Sequence, residues 1–510
     1  MTALAAENAE LKAALTESRA LIREMQAQLA WFNRQLFGRK SEKLQEVDPA
    51  LQRSLLTGLV DDPPSAPPAE TEIVERKKRG PKLRDGCVTE SGLRFDEKTP
   101  IRTVDHKPAE LLGPDADDYE VVSVQKTHRL GQQQTSYVVI EHRNYVIKHK
   151  PSGELVSNYA PNPVLERSLA DVTLLAGMLV DKFQYHEPLY RLHQRMAEAG
   201  IQVSRSLLSQ LVAKASLLLK PIYDAQLSHV LTSSTLLMDE TPIKAGRNGK
   251  GGMKQCYYWP VMGEAGEICF TFANTRARLH IERVLKEQFQ GTLVTDGYGA
   301  YASYVKQHNR IVHAQCWAHG RRKFEHAQDA HPQAREALIL IAELYKQEAW
   351  IREKRLEGPD KHQARAERCK PVVDRFWAWC HEQQQDLGLE PSNALAKALK
   401  YVLDRRQEMD VFLDDPAVPL DTNTLERGLR PIPMGRKAWL FCWTEVGAEH
   451  VGIIQSLIST CKLHGVQPYT YLVDVLQRVG EHPAKRVEEL TPRRWKELFA
   501  DQPMTADWEA

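Results

Sequence analysis

Two short apolar runs end in a carboxylate: Leu236-Leu237-Met238-Asp239, and Leu293-Val294-Thr295-Asp296 followed by Gly297. An apolar run buries a strand inside a sheet, and an acid at its end has to be hydrated, paired or metal-bound. If the two strands are neighbours, their carboxylates come within bridging distance of one cation. A third acid, Glu426, lies in Asn423-Thr424-Leu425-Glu426-Arg427-Gly428-Leu429-Arg430, a short helix stopped by Pro431. Three carboxylates supply hard oxygen ligands for two Mg²⁺ or Mn²⁺ ions about 3.5–4 Å apart, which can stabilise the attacking and leaving oxygens of an in-line phosphoryl displacement. Each acid also has a plainer use. Asp239 can cap the turn to Pro242, Asp296 can open an Asp-Gly turn into Tyr298, and Glu426 fits a capping box with Asn423 and an i,i+4 pair with Arg430.

Cations gather near these acids. Arg321, Arg322 and Lys323 follow the strand that ends near Cys316, and Arg427, Arg430, Arg436 and Lys437 surround Glu426. Placed there, they are expected to position the phosphates of a polyanion. Trp317, Tyr298, Tyr301 and Trp439 can stack on a base or serve as core, and Trp439 in Ala-Trp-Leu-Phe reads as core. The pairs Cys316-x-x-His319 and Cys461-x-x-His464 have ligand spacing and could meet as a Cys₂His₂ site; buried cysteine beside a hydrogen-bonded histidine explains them as well.

The elements that must hold this chemistry change character along the chain. Residues 1–45 carry a heptad seam through Leu4, Leu11, Leu15, Ile22, Met25, Leu29, Phe32 and Leu36, interrupted by Asn8 and Ser18, and are expected to pair as a coiled coil in a homodimer or higher oligomer. Residues 46–100 read as a linker, with Asp-Pro-Pro-Ser-Ala-Pro-Pro from Asp62, followed by a basic segment containing Arg76, Lys77, Lys78 and Arg79 that can follow a phosphate backbone. Alternation from Ile101 to Val156 predicts a small β-rich module over 101–165; its histidines His106, His128, His142 and His149 have no cysteine beside them, so no zinc is expected there. Over 166–230 the pattern turns helical. A glycine turn at Gly200 and an N-cap at Ser204 precede a helix bearing Arg205, Ser206 and Gln210, as in a helix-turn-helix, a shape also common in structural bundles. Strands that first pair as a meander and then alternate with helices fill 231–330. A helical insertion takes 331–415, the Glu426 segment lies in 416–465, and a helical region closes 466–510.

The strings Met-Asp-Glu-Thr from Met238, Thr-Asp-Gly-Tyr-Gly-Ala-Tyr from Thr295, Cys-Trp-Ala-His-Gly-Arg-Arg-Lys-Phe from Cys316, and the run from Thr424 to Phe441 resemble, in that order, the D-D-E transposases of the insertion sequence sixty-six family. The resemblance extends to the coiled-coil start, the basic linker, the segment around Tyr185-His186-Glu187, and Lys462-Leu463-His464-Gly465 near the end. It implies a multidomain α+β chain with a ribonuclease H-like mixed α/β catalytic core interrupted by a helical insertion. It also implies Asp239, Asp296 and Glu426 as catalytic metal ligands for two Mg²⁺ or Mn²⁺ ions. The activity implied is that of a transposase of a bacterial insertion sequence: it binds element ends, hydrolyses phosphodiester bonds to free 3′-OH ends, and joins them to target DNA. Double-stranded DNA and small accessory proteins of the same element are the implied partners. Members of the family often carry a cysteine-rich zinc module ahead of the helix-turn-helix, and the stretch from Ile101 to Val156 lacks cysteine.

Composition sets wider bounds. The chain has 510 residues, 68 Lys+Arg against 67 Asp+Glu, 42% hydrophobic residues and eight scattered cysteines without a C-x-x-C pair. That is a globular composition with reduced thiols, without a disulfide framework. No apolar run approaches the ~18 residues of a membrane span, and the start has no basic stretch before an apolar one. A cytoplasmic, nucleoid-associated protein is expected. The net charge of +1 does not argue against DNA, because binding depends on where positive charge sits rather than on its sum.

Overall fold

The computed structural model describes residues 87–509 apart from 89–92, 97–98, 134–135, 250, 286–288, 386–392 and 441. The expected coiled coil, the linker and Arg76, Lys77, Lys78 and Arg79 therefore lie outside the described residues. The chain divides into residues 1–84 and 85–510, and only the second unit is described below.

Short strands β1 (Cys87–Val88) and β2 (Arg94–Phe95) precede a four-stranded sheet. In it, β3 (Ile101–His106) runs parallel to β5 (Ser136–His149), while β4 (Tyr119–Gln133) and β6 (Leu155–Ser157) run antiparallel to β5. The hydrophobic stretch Tyr137 to Ile140 is buried. Two of the histidines meet, His106 Nε2 lying 3.1 Å from His142 Nδ1, and burial pushes His142 down to about 3.

Helix α1 (Val172–Phe183) is nearly all buried, with Asp171 accepting from the Thr173 N–H at its start. Next come α2 (Leu189–Glu198), a turn at Gly200 with φ +83°, strand β7 (Ile201–Gln202) and the 26-residue α3 (Arg205–Val230). Ser204 caps α3 by accepting from the Leu207 N–H, as its hydroxyl and position predict. Arg205, Ser206 and Gln210 are exposed, while Leu208, Leu211, Val212 and Ala215 are buried on the other face. Pro221 lies inside α3, so the helix continues well past the stretch that resembles a helix-turn-helix.

The main sheet is mixed. It comprises β8 (Thr235–Met238), β9 (Thr241–Arg247), β10 (Met253–Gly263), β11 (Ile268–Ala273), β12 (Gly291–Thr295) and β13 (Ile311–Gln315), in the order β11-β10-β8-β12-β13 with β9 also on β10. Strands β9, β8 and β11 pair antiparallel with β10, whereas β8-β12 and β12-β13 are parallel. Parallel neighbours need crossovers, and helices α4 (Leu279–Leu285) and α5 (Gly299–Val305) supply them. The meander followed by alternation is what the sequence predicts. At the β8-β12 join the backbones nearly touch: a Cβ on Gly291, at φ +149°, would lie 2.1 Å from the Ser234 carbonyl oxygen, so only glycine fits.

After α6 (Trp317–Ala327) the chain leaves the sheet as α7 (Ala334–Glu353), α8 (Gly358–Ala364), a π-helical turn Arg365–Cys369, α9 (Lys370–Gln385), α10 (Ala394–Leu403) and α11 (Arg406–Asp414). This block packs Trp317, Phe376, Trp377 and Phe412 together. The chain returns through α12 (Asn423–Leu429) and α13 (Pro431–Trp439). It closes with the largely buried α14 (Glu445–Leu463), α15 (Pro468–Arg478) and α16 (Pro492–Leu498). Among the described residues no helix is long and apolar enough to cross a membrane.

Candidate active site

Asp239 directly follows β8 and Asp296 directly follows β12, so the two acids stand at the same end of adjacent parallel strands. All four residues of β8 are buried, so the first acid after it emerges at the carboxyl end of an interior strand. Asp239 Oδ1 accepts the Glu240 N–H at 2.8 Å, and Asp296 Oδ1 accepts the Tyr298 N–H at 2.9 Å, the Asx turn that Asp-Gly predicts. Behind Asp296 the insertion presses in: a Cβ on Gly297 would meet the Tyr401 hydroxyl at 2.5 Å, and Arg405 Nη2 donates to the Gly297 carbonyl at 3.3 Å.

Glu426 is brought to the same place by a weld around Cys316. The Cys316 N–H donates to the Thr295 carbonyl at 3.0 Å, the Trp317 N–H to Leu420 at 3.1 Å, and both the N–H and hydroxyl of Thr422 donate to the Cys316 sulfur at 3.3 Å. Neither plainer use of Glu426 is realised. Its helix starts at Asn423 after Thr422, and Asn423 turns back to Asp421, so there is no capping box. The carboxylate goes to Arg322 Nη2 at 2.5 Å, not to Arg430, and its Oε1 is buried without a hydrogen-bond partner, 3.9 Å from His319 Nε2.

Among the described residues, the His/Cys/Asp/Glu group close enough to hold a metal ion is Asp239, Glu240 and Asp296, with ligand atoms within 4.8 Å of one another. Glu426 stands outside that group while Arg322 holds it, yet its charge reaches Asp239. Burial first, then Glu240, Asp296 and Glu426, push the Asp239 carboxyl up to about 7, against the backbone N–H it accepts. Burial also raises Glu240, although Arg276 opposes it. Glu240 is already committed: Oε1 accepts from Arg276 and Oε2 accepts the Tyr301 hydroxyl at 3.0 Å. Arg276 in turn lies 3.8 Å from the Tyr298 ring centre, and Tyr298 donates its hydroxyl to the Arg276 carbonyl at 2.7 Å.

Glu240 and Arg276 were not singled out in the sequence, and His319 was singled out only as a partner of Cys316, not as a neighbour of Glu426. Glu240 was visible as the acid beside Asp239, and His319 as the residue three before Arg322 on one helix face. Nothing local marks Arg276, which lies between β11 and α4. Burial, then the Arg322 charge, holds His319 below the usual imidazole range.

The remaining candidates separate into surface and core. Arg321 is exposed and pairs with Glu325 at 2.9 Å, Lys323 lies over the Tyr401 ring, and Arg427 donates to the Thr424 hydroxyl at 3.1 Å. Arg430 and Lys437 are exposed, Arg436 donates to the Pro242 carbonyl at 2.6 Å, and Arg205 sits over the Tyr190 ring. Trp317 and Tyr301 take the core alternative: both are buried, Trp317 donating its indole N–H to Met409 and packing in the aromatic block, so neither ring can receive a base. The Cys316 thiol is taken up by Thr422, and Cys461 is fully buried.

Residues 167–450, more than half of the chain, match the family described as "Transposase IS66 family". The chain belongs to that family. Residues 456–493 match its "IS66 C-terminal element", and residues 24–87 match a "Transposase C of IS166 homeodomain", a stretch that the sequence reading divides between coiled coil and linker. Relatives in Sinorhizobium fredii cover two thirds or more of this IS66 transposase. The uncharacterised protein y4jD is 28% identical over 94% of this chain and 96% of its own, and y4hP is 30% identical over 68% and 66%. The family match supports a transposase role, and the acidic cluster is where divalent-metal chemistry fits.

Proposed function

We propose that this IS66 transposase is a D-D-E enzyme whose Asp239, Asp296 and Glu426 act together in Mg²⁺- or Mn²⁺-dependent cleavage and joining of double-stranded DNA. The observation that carries the reading is the pair of carboxylates ending adjacent parallel strands, with Glu426 near enough to raise Asp239. The donor set fits two divalent cations. All the atoms are hard oxygens, the cluster is short of positive charge, and Glu426 Oε1 is buried and unpartnered. A strand with an antiparallel neighbour on one side and parallel strands on the other, each acid at a strand end, supports a ribonuclease H-like core interrupted by the helical insertion.

When bound, the cations would activate the attacking oxygen and offset charge on the leaving oxygen of an in-line displacement. The chain's own residues prepare that site. Glu240, saturated by Arg276 and Tyr301, orients rather than ligates. Arg322 parks Glu426 and has to release it as the site fills. The proton that Asp239 holds near neutral pH must leave before this acid can act as a ligand. Arg321, Lys323, Arg427, Arg430, Arg436 and Lys437 are the cations that would carry phosphates to the acids. Water would be the first nucleophile, freeing a 3′-OH, and that hydroxyl the second, attacking target DNA.

The helix pair α2 and α3, with Arg205 exposed at its turn, and the basic residues Arg76, Lys77, Lys78 and Arg79 would bind element ends. The heptad seam would pair protomers on two ends, and accessory proteins of the element are further candidate partners. The expected setting is the bacterial cytoplasm at the nucleoid. The test is Asp296→Asn on DNA carrying the ends of the element. Mg²⁺-dependent nicking should be abolished while the gel-shift affinity stays within about twofold, and retained cleavage would reject the triad.

A further inference from the structure

Strand β9 starts two residues after Asp239 and leads away from the acids, with Pro242, Lys244 and Arg247 exposed along it. The chain after α12, which carries Glu426, lies alongside. Arg436 Nη1 donates to the Pro242 carbonyl at 2.6 Å, the Cys442 N–H to Lys244 at 2.9 Å, and the Gly246 N–H to Cys442 at 3.1 Å. The two segments form a ledge that begins at the acids and, over the seven residues of β9, extends roughly 20 Å.

Two large apolar side chains are exposed at its far end. Trp443 is 62% exposed and Leu440 63% exposed. Leu440 also holds φ at +63°, in the left-handed region that a leucine enters only under strain. The Arg247 guanidinium lies 5.0 Å from the Trp443 ring centre. Lys244 and Lys437 are exposed nearby in sequence, and the acid beside them, Glu445, is neutralised by Lys254 at 2.8 Å. An indole and a guanidinium together, among cations, offer a flat surface for a base and a charge for its phosphate. A protein partner would use the apolar groups but would leave the cations along the ledge unmatched.

We propose that Trp443 and Arg247 form a stacking platform for an unpaired nucleotide of the DNA strand, a few nucleotides from the phosphodiester held at the acids. Lys244 and Lys437 hold the intervening backbone. This rests on the reading of the protein as a DNA-cutting enzyme and adds that part of the bound DNA is single-stranded on the ledge.

The experiment uses the full chain with two probes, a short fluorescein-labelled oligothymidylate and a blunt duplex of equal length, at one fixed salt concentration. Trp443→Ala should weaken oligothymidylate binding roughly tenfold, as the loss of one stacked base does. It should leave the duplex within about twofold, and Trp443→Phe should recover most of the loss. Equal oligothymidylate affinity in Trp443→Ala and the parent would overturn the platform while leaving the DNA-cutting reading intact, as would an equal loss for both probes. Failure of the parent to bind either probe would overturn that reading and the platform with it. A thermal melt of Trp443→Ala matching the parent excludes misfolding as the cause.

Discussion

Two regions of this transposase take charge out of water, and they do so in opposite ways. In the helical insertion Arg365 is fully buried, its Nε and Nη2 reach the two oxygens of Glu348 at 2.8 and 3.0 Å, and its Nη1 reaches the carbonyls of Phe412, Asp415 and Val418 at 2.6, 3.1 and 3.0 Å. Every part of the guanidinium fork is matched. At the strand ends, Asp239 and Asp296 each accept one backbone N–H, Glu426 shares one arginine and leaves an oxygen orphaned, and burial, then like charges, push Asp239 up to about 7. A matched buried charge fixes structure. An unmatched cluster is held ready for something that brings positive charge.

The contrast can be broken at either end. The largest expected effect is on the insertion: Arg365→Ala leaves Glu348 buried and unpaired and should lower unfolding stability by about 3–5 kcal/mol in urea titrations. Replacing Arg365 and Glu348 together by methionine should lose much less. A loss under ~1 kcal/mol in Arg365→Ala would mean that the pair is not the clamp its geometry describes.

The second effect is on the acids and has a defined sign. Folded Asp239 titrates at about 7, whereas an unfolded aspartate titrates near ~3.9. Between those values the folded chain holds a proton that the unfolded chain gives up. The stability associated with it is fully present below about pH 4 and is lost as pH rises through 7. Roughly three pH units at ~1.4 kcal/mol each set a ceiling near ~4 kcal/mol. Denaturant midpoints in EDTA at acid and mildly alkaline pH, compared between the parent and Asp239→Asn, isolate this contribution. Identical pH profiles would remove the strain from the acid cluster.

These regions were unequally legible in the sequence. The acids at strand ends stand out because apolar runs and turn residues are local signals. The adjacency of β8 and β12 depends on the close backbone approach at Gly291, which no local pattern announces. Trp317 beside three cations fitted stacking or core equally, and its own ring enters the aromatic block, so burial won. Glu426 had the signature of a capping box, and a long-range partner 104 positions away took it instead. Nothing in the sequence singles out Arg365, because its five contacts from distant segments have no trace in its neighbours. The insertion's helices were legible from periodicity, and their role in seating Asp296 through Tyr401 and Arg405 was not.

If the under-matched acids hold divalent cations, Mn²⁺ titration of the purified full chain at neutral pH should show saturable binding with proton release near pH 7, and that binding should be lost in Asp239→Asn and Asp296→Asn. Equal Mn²⁺ binding by the parent and both variants would contradict it.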